Sequence, residues 1–441
     1  MTLPDGVRIF VADQSLIDEV GHFYSYDRAL ALAAHELGVA TLVLANKGVA
    51  RSLVADADFK IEPWFSRTWR TDDRHPLIAL ASRLLRLPPA RLTVPLLATL
   101  RGLLPHIAGQ TENRNIPTAG RAPVPLIMEL AEAVRHHRIA EHDVLFLHTV
   151  KAGVLAQVID ATDAIAGGAR LRIVCLLRDL PTAAELDTLR AALGRRAHDL
   201  QAVRLASDSG LLAQRLSADL GIHVAEFPIP AAPAPIIADE PRNSGPFVVG
   251  YVGEARVDKG FTLLPDLIET VRQRTSGNAV GFAIHATLAQ GLPSGEILVA
   301  LDRIRSLLSP GDRLSNAALD NEAFGLWIDA CDCIVLPYDV DRYRYATSGI
   351  LIEALARGRP VVVPNATWMA ANLPSGAGAL FDHPDRLADA VLSLIDNSLA
   401  ARKAARLAAS VVKRHHSPRN LLETLLQTAG LQTSTDPPSR T

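Results

Sequence analysis

The sequence predicts an α/β protein built as two Rossmann-like, doubly wound domains. Short apolar runs that read as buried strands alternate with amphipathic helical stretches along most of the chain. Alternation of this kind makes a parallel sheet covered by helices on both faces. The pattern breaks once, at Ile229 to Pro246, a stretch rich in Pro and Ala with no helical periodicity. It reads as a semi-rigid interdomain linker. The 441 residues also suffice for two or three domains with sizeable cores. The expected division is a first domain over 1–235, the linker over 229–246, a second domain over 247–412, a helix within 413–430 and a disordered polar tail over 431–441.

In chain order, Val7–Ala12 reads as the first strand, followed by a loop carrying Gly21-His22, a helix from about Ser25 to Leu37 and a strand over Thr41–Ala45. No GxGxxG follows the first strand, so the nicotinamide dinucleotide fingerprint is missing. A helical insert at about 64–125 interrupts the alternation. Between Ser66 and Arg121 it has Arg but no Lys, repeated Pro, and leucines at helical spacing such as Leu77, Leu80, Leu84 and Leu87. Basic, Leu-rich amphipathic helices can lie on an anionic membrane surface, and the same composition also serves helices packed on their own domain. Strands then follow at Asp143–His148, Leu171–Leu177 and Val203–Ala206, with helices at Ala152–Ile165, Thr182–Leu193 and from Gly210 to Leu220. Ligands of parallel sheets gather at the carboxyl ends of strands, which places His148 and Arg178-Asp179 on the ligand rim. A lone His is equally at home as a structural core residue.

Beyond the linker, strands are expected at Phe247–Gly253, Ala279–His285 and Cys333–Leu336. Helices are expected at Phe261–Arg274, Ser294–Leu307, Asn321–Ala330, Pro384–Asn397 and Ala400–His416. Between the first of these strands and its helix lies a short glycine-bounded turn with Arg256 and Lys259, cations that could reach a diphosphate at the sheet mouth. The stretch YATSGILIEALARGRPVVVPN, from Tyr345 to Asn365, reads as a loop, a helix opening at Ser348-Gly349, a stop at Gly358 and a doubly buried strand at Val361–Val363. A helix that starts behind small residues presents free N–H groups and a positive dipole end, a ready phosphate site at Ser348, Gly349 and Ile350. Glu353, a turn further in, could accept from sugar hydroxyls. An ordinary helix–strand unit with a solvated Glu would show the same pattern.

These two stretches, about ninety residues apart, resemble the donor-binding half of GT-B glycosyltransferases, particularly the retaining family 4 type. The resemblance spans Phe247–Asn365 well and is weak before Pro246. It implies two domains facing across a cleft, with Arg256 and Lys259 gripping a nucleotide diphosphate and Glu353 holding the ribose. It also implies that Gly21 approaches the donor phosphates, that His148 contacts the donor sugar or acceptor, and that the last helix, about Asn420–Ala429, crosses back onto the first domain. The function implied is metal-independent transfer of a sugar from a nucleotide-diphosphate sugar to a glycan or lipid-linked acceptor, in cell-surface polysaccharide synthesis. Two departures stand out. The family often has a second Glu eight positions before the first, where this chain has Tyr345, and its Arg stands further from the Lys than three residues. A degenerate binding module and a nucleotide-sugar epimerase are the alternatives.

Composition narrows the classes further. A formal charge of −2 favours neither nucleic acid nor an acidic partner. Cys175, Cys331 and Cys333 fall in or beside apolar runs and read as reduced core residues. No HExxH or CxxC is present, and Asp339 and Asp341 sit where GT-B proteins place no metal, so neither metal nor cofactor is expected. The start MTLPDGVRIFVAD goes straight into a strand, and no run reaches the length of a membrane span, so a cytoplasmic protein is expected, with peripheral membrane contact through 66–121 as an option.

Overall fold

The computed structural model describes residues 6–19, 22–66, 125–196, 202–231, 245–275, 279–288, 294–317 and 319–431. Gly21, the basic stretch beyond Ser66, most of the linker and the tail from 432 lie outside the described residues. Elements are numbered here in chain order.

The first sheet is formed by β1 (Arg8–Asp13), β2 (Ala40–Asn46), β3 (Ile61–Phe65), β4 (Val144–Leu147), β5 (Arg172–Leu177), β6 (Val203–Ser207) and β7 (Val224–Glu226). Their order is β3-β2-β1-β4-β5-β6-β7, and all pairs are parallel. The helices between them are α1 (His22–Glu36), α2 (Arg51–Asp56), α3 (Pro125–His137), α4 (Ala152–Asp160), α5 (Thr162–Ala166), α6 (Ala183–Arg195) and α7 (Gly210–Leu220). The central strands are buried on both faces because helices cover both. Two separate apolar clusters, one on each face of the sheet, result.

The second sheet contains β8 (Phe247–Ala255), β9 (Val280–Leu288), β10 (Arg313–Ser315), β11 (Cys333–Val335), β12 (Val361–Pro364) and β13 (Gly378–Phe381), in the parallel order β10-β9-β8-β11-β12-β13. Its helices are α8 (Leu264–Arg274), α9 (Gly295–Leu307), α10 (Asn321–Asp329), α11 (Val340–Tyr343), α12 (Gly349–Ala356), α13 (Trp368–Ala371), α14 (Leu387–Asp396) and α15 (Ser398–His415). A last helix, α16 (Pro418–Thr428), leaves this half and packs on α1. Its Leu421, Leu422, Leu425 and Leu426 are fully buried in the apolar cluster of the first sheet. In each sheet the strand order reverses beside its first strand, leaving a crevice at the carboxyl ends of β1 and β4 and another at those of β8 and β11.

Several elements differ from expectation for local reasons. The unexpected strands β3, β7, β10 and β13 lie at or next to sheet edges and lack a continuous apolar run, and β3 even contains Pro63, which an edge tolerates. The helix expected over Ala152–Ile165 breaks at Ala161, where the Thr162 hydroxyl donates back to the Val158 and Ile159 carbonyls. The start expected at Phe261 is instead two 3₁₀ turns leading into α8. Where a loop was expected after Leu336, Asp339 caps α11 by accepting from the Arg342 N–H. No described helix is long and apolar enough to cross a membrane.

Candidate functional site

The crevice of the second sheet brings the two sequence stretches together. β8 ends at Ala255, and Arg256, the 3₁₀ turn Val257–Lys259 and Gly260 follow. Gly260 has φ 66°, and a Cβ there would lie 1.9 Å from the Pro337 carbonyl oxygen. The turn is therefore pressed against the segment that leaves β11. Lys259 Nζ lies 5.9 Å from the centre of the Tyr338 ring, and the Tyr338 hydroxyl lies beside Ser348. From the other side, a Cβ added at Gly253 would lie 2.9 Å from Ile350 Cδ1 and 3.9 Å from Lys259 Nζ. Lys259 and Ile350 thus lie against the same glycine, and Lys259 and Ser348 against the same tyrosine.

Ser348 caps α12. It is buried, and its Oγ accepts from the Leu351 N–H at 3.3 Å. The amides of Gly349 and Ile350, in the first turn, have no partner within the helix, and Gly349 is exposed. Burial, and then repulsion by Arg256, lower the Lys259 pKa from its ordinary value. An ammonium held in that way gains by meeting an anion.

Other expected residues are placed differently. Arg256 is not free to grip a phosphate on its own: Nε donates to Asp258 Oδ1 at 2.8 Å, and a second nitrogen reaches Glu254 Oε2 at 3.4 Å. The guanidinium thus faces carboxylates two residues to either side of it. Glu353 lies 3.7 Å from Arg357 Nε, one turn on, and Arg357 in turn pairs with Asp329 at 2.6 Å. Tyr345, at the position of the absent carboxylate, packs on the core of the first domain and reaches Arg215. Beside it, Thr347 Oγ1 donates to Asp208 Oδ2 at 3.3 Å, and the same oxygen lies 3.0 Å from Arg178 Nε. The loop before α12 is thereby tied to the carboxyl rim of the first sheet.

His148 requires a larger correction. It does follow β4 directly, but the side chain is fully buried, not presented on the rim. Its ring stacks on Tyr26 at 4.3 Å and lies between the carboxylates of Asp13 and Asp27. Burial alone would lower the His148 pKa, but the two carboxylates outweigh it and raise it. Burial, reinforced by Asp13, pushes Asp27 up to about 7. Sequence reading missed Asp13 and Asp27. The one available signal was Asp27 itself, an acid on the core-facing side of α1 one turn before Leu30. Arg178 is likewise on the rim, as expected, and its guanidinium lies 5.1 Å from the centre of the Tyr26 ring. Asp179 instead points outward to Lys151.

Two parallel doubly wound sheets, with a final helix returned from the second half to the first, are the GT-B fold, and solved structures match it along nearly the whole chain. An α,α-trehalose-phosphate synthase (UDP-forming) from Burkholderia xenovorans, in complex with glucose-6-phosphate, superposes with TM-score 0.63 at 12% identity, covering 96% of this chain and 100% of that one. A glycosyltransferase from Rickettsia africae gives 0.62 at 12% identity, covering 97% and 98%. TarM gives 0.61 at 11% identity, covering 96% and 99%. No family model and no curated protein matches the sequence. Likeness at such low identity shows the fold and leaves the chemistry to the site.

Proposed function

We propose that this protein is a glycosyltransferase that moves a sugar from a nucleotide-diphosphate sugar to a saccharide acceptor. One observation carries the reading: Lys259 and the open first turn of α12 meet around Tyr338 at the mouth of the second sheet. A diphosphate seated there meets an ammonium and the Gly349 and Ile350 amides together. In this reading Glu353, which also lies 3.7 Å from Arg357 Nε, would accept from the ribose hydroxyls, as the motif resemblance implies. As the bond from the anomeric carbon to the diphosphate oxygen breaks, negative charge builds on the leaving group and the sugar becomes oxocarbenium-like. Preorganised donors aimed at that charge supply the largest part of such catalysis, without requiring a metal. Transfer with retention, a glycan or lipid-linked acceptor and a role in cell-surface polysaccharide synthesis are parts of the same proposal, supported by the motif resemblance.

The UDP-forming synthase among the structural neighbours makes UDP and UDP-sugars the first donors to test. In a thermal-shift and calorimetric screen of nucleoside diphosphates, one should bind the wild type, and Lys259→Ala should lose most of that binding while keeping its melting temperature. Loss of one such contact costs about 3 kcal/mol of barrier, roughly a hundredfold or more in rate. Wild-type affinity and turnover in Lys259→Ala would remove Lys259 from the mechanism. Tyr345 favours a second reading, a module that binds nucleotide-sugar without transfer, because it withdraws the expected carboxylate position into the first domain. Donor binding with no turnover across a panel of acceptors would select that reading.

A further inference from the structure

The crevice of the first sheet holds a second cluster, which the transferase reading does not use. Asp13 ends β1, Asp27 lies on α1 and His148 follows β4, and all three side chains are fully buried. A ligand atom from each lies within 4.8 Å of the other two. His148 Nδ1 is 3.0 Å from Asp27 Oδ1 and 3.3 Å from Asp13 Oδ2. That nitrogen carries at most one proton, and it is aligned for a hydrogen bond with Asp13. Among the described residues, neither oxygen of Asp27 accepts a hydrogen bond. Its close neighbour is the His148 ring at 3.0 Å, and a carboxylate buried so completely is satisfied by pairing, by protonation or by metal coordination. Tyr26 and Phe146 stack on the imidazole, while Arg178, also over the Tyr26 ring, is engaged with Asp208.

We propose that Asp13, Asp27 and His148 bind one divalent first-row cation of the Zn²⁺ or Mn²⁺ type. Metal bonds of about 2.0–2.2 Å set neighbouring ligand atoms roughly 2.8–3.6 Å apart, from octahedral to tetrahedral angles, and the two nitrogen–oxygen separations here fall in that range. Two carboxylates and one imidazole suit these ions better than Cu(I), which selects sulfur, or Ca²⁺, which takes six to eight oxygens. The other oxygen of Asp13 accepts from the Ser15 N–H at 2.8 Å, which orients the carboxylate as outer-sphere contacts do in metal sites. A bound ion would fasten β1, α1 and β4 at the floor of the cleft. Sequence spacing could not show it, since Asp13 and His148 stand 135 positions apart.

The test reads metal directly and is independent of any transferase activity. Full-length protein stripped by chelator is titrated with Zn²⁺ and with Mn²⁺ by calorimetry, with the melting temperature followed in parallel. Uptake of one equivalent and a higher melting temperature are expected with at least one of the two ions. Asp27→Asn keeps the shape and removes the charge, so it should fold and bind at least about tenfold more weakly. His136→Ala controls for the group Glu62, His136 and His137, which could also gather an ion at the surface, and should leave uptake unchanged. No uptake of either ion by the wild type, equal uptake by Asp27→Asn, or uptake lost in His136→Ala would each overturn the proposal.

Discussion

Gly260 shows how much of the proposed donor site rests on one backbone position. Its left-handed φ of 66° disfavours any side chain, and a Cβ would collide with the Pro337 carbonyl, which belongs to the backbone and cannot swing away. We expect Gly260→Ala to lower stability by about 2–4 kcal/mol in urea unfolding and to weaken nucleoside diphosphate binding by moving Lys259 off Tyr338. The turn's Lys and Gly were visible in the sequence, where the family resemblance implies a phosphate grip. The reason for the Gly was not, since Pro337 approaches from a strand far along the chain. Arg256 teaches the reverse lesson. The sequence shows a cation near a sheet mouth, but only the fold reveals that Asp258 and Glu254 already engage it.

Among the elements, α12 and its cap were the most readable. Small residues before an apolar helical run, a Gly stop and an all-Val strand each have a local cause, and the structure places the helix at Gly349–Ala356 with Ser348 as its cap. Ser348→Ala should cost about 1 kcal/mol, the ordinary worth of a lost N-cap, in chemical denaturation. It should also reduce donor affinity, because the Gly349 and Ile350 amides depend on the cap for their direction. Equal denaturation midpoints for mutant and wild type would contradict the cap's role. The loop ahead of this helix was less legible. A tyrosine in place of an acid can face a ligand or a neighbouring domain. Tyr345 and Thr347 face the first domain, through Arg215 and Asp208, because the rim of that sheet stands opposite.

For the whole molecule, the return of α16 to the first domain depends on the junction at His416. This residue is buried, and its Nδ1 accepts from the Ile229 N–H at 3.1 Å, where the chain leaves the first sheet. Its carbonyl also accepts from the Ala231 N–H. Burial, with His415 adding to it, lowers the His416 pKa to about 4. The folded state therefore favours the neutral ring. The resulting stability is complete above the unfolded pKa of about 6.5 and is lost as pH falls toward 4, up to about 3 kcal/mol in all. His416→Gln, compared with wild type in urea at pH 7 and pH 4.5, should be less stable at pH 7 by a margin that narrows at pH 4.5. A margin independent of pH would show that the imidazole does not carry the effect.

What the sequence by itself determined is local in origin. The alternation of buried strands with amphipathic helices, the linker composition and the cap-and-stop signals around α12 follow from side-chain size, backbone propensity and periodicity over a few turns. Tertiary structure decided the rest, because it depends on which distant segments share a crevice. Only packing could enclose His148 between Asp13 and Asp27, swing Tyr345 toward the first domain, and set Lys259 and Ile350 against the same glycine. Burial and charge pairing act through space, and the order of residues along the chain does not reveal those distances.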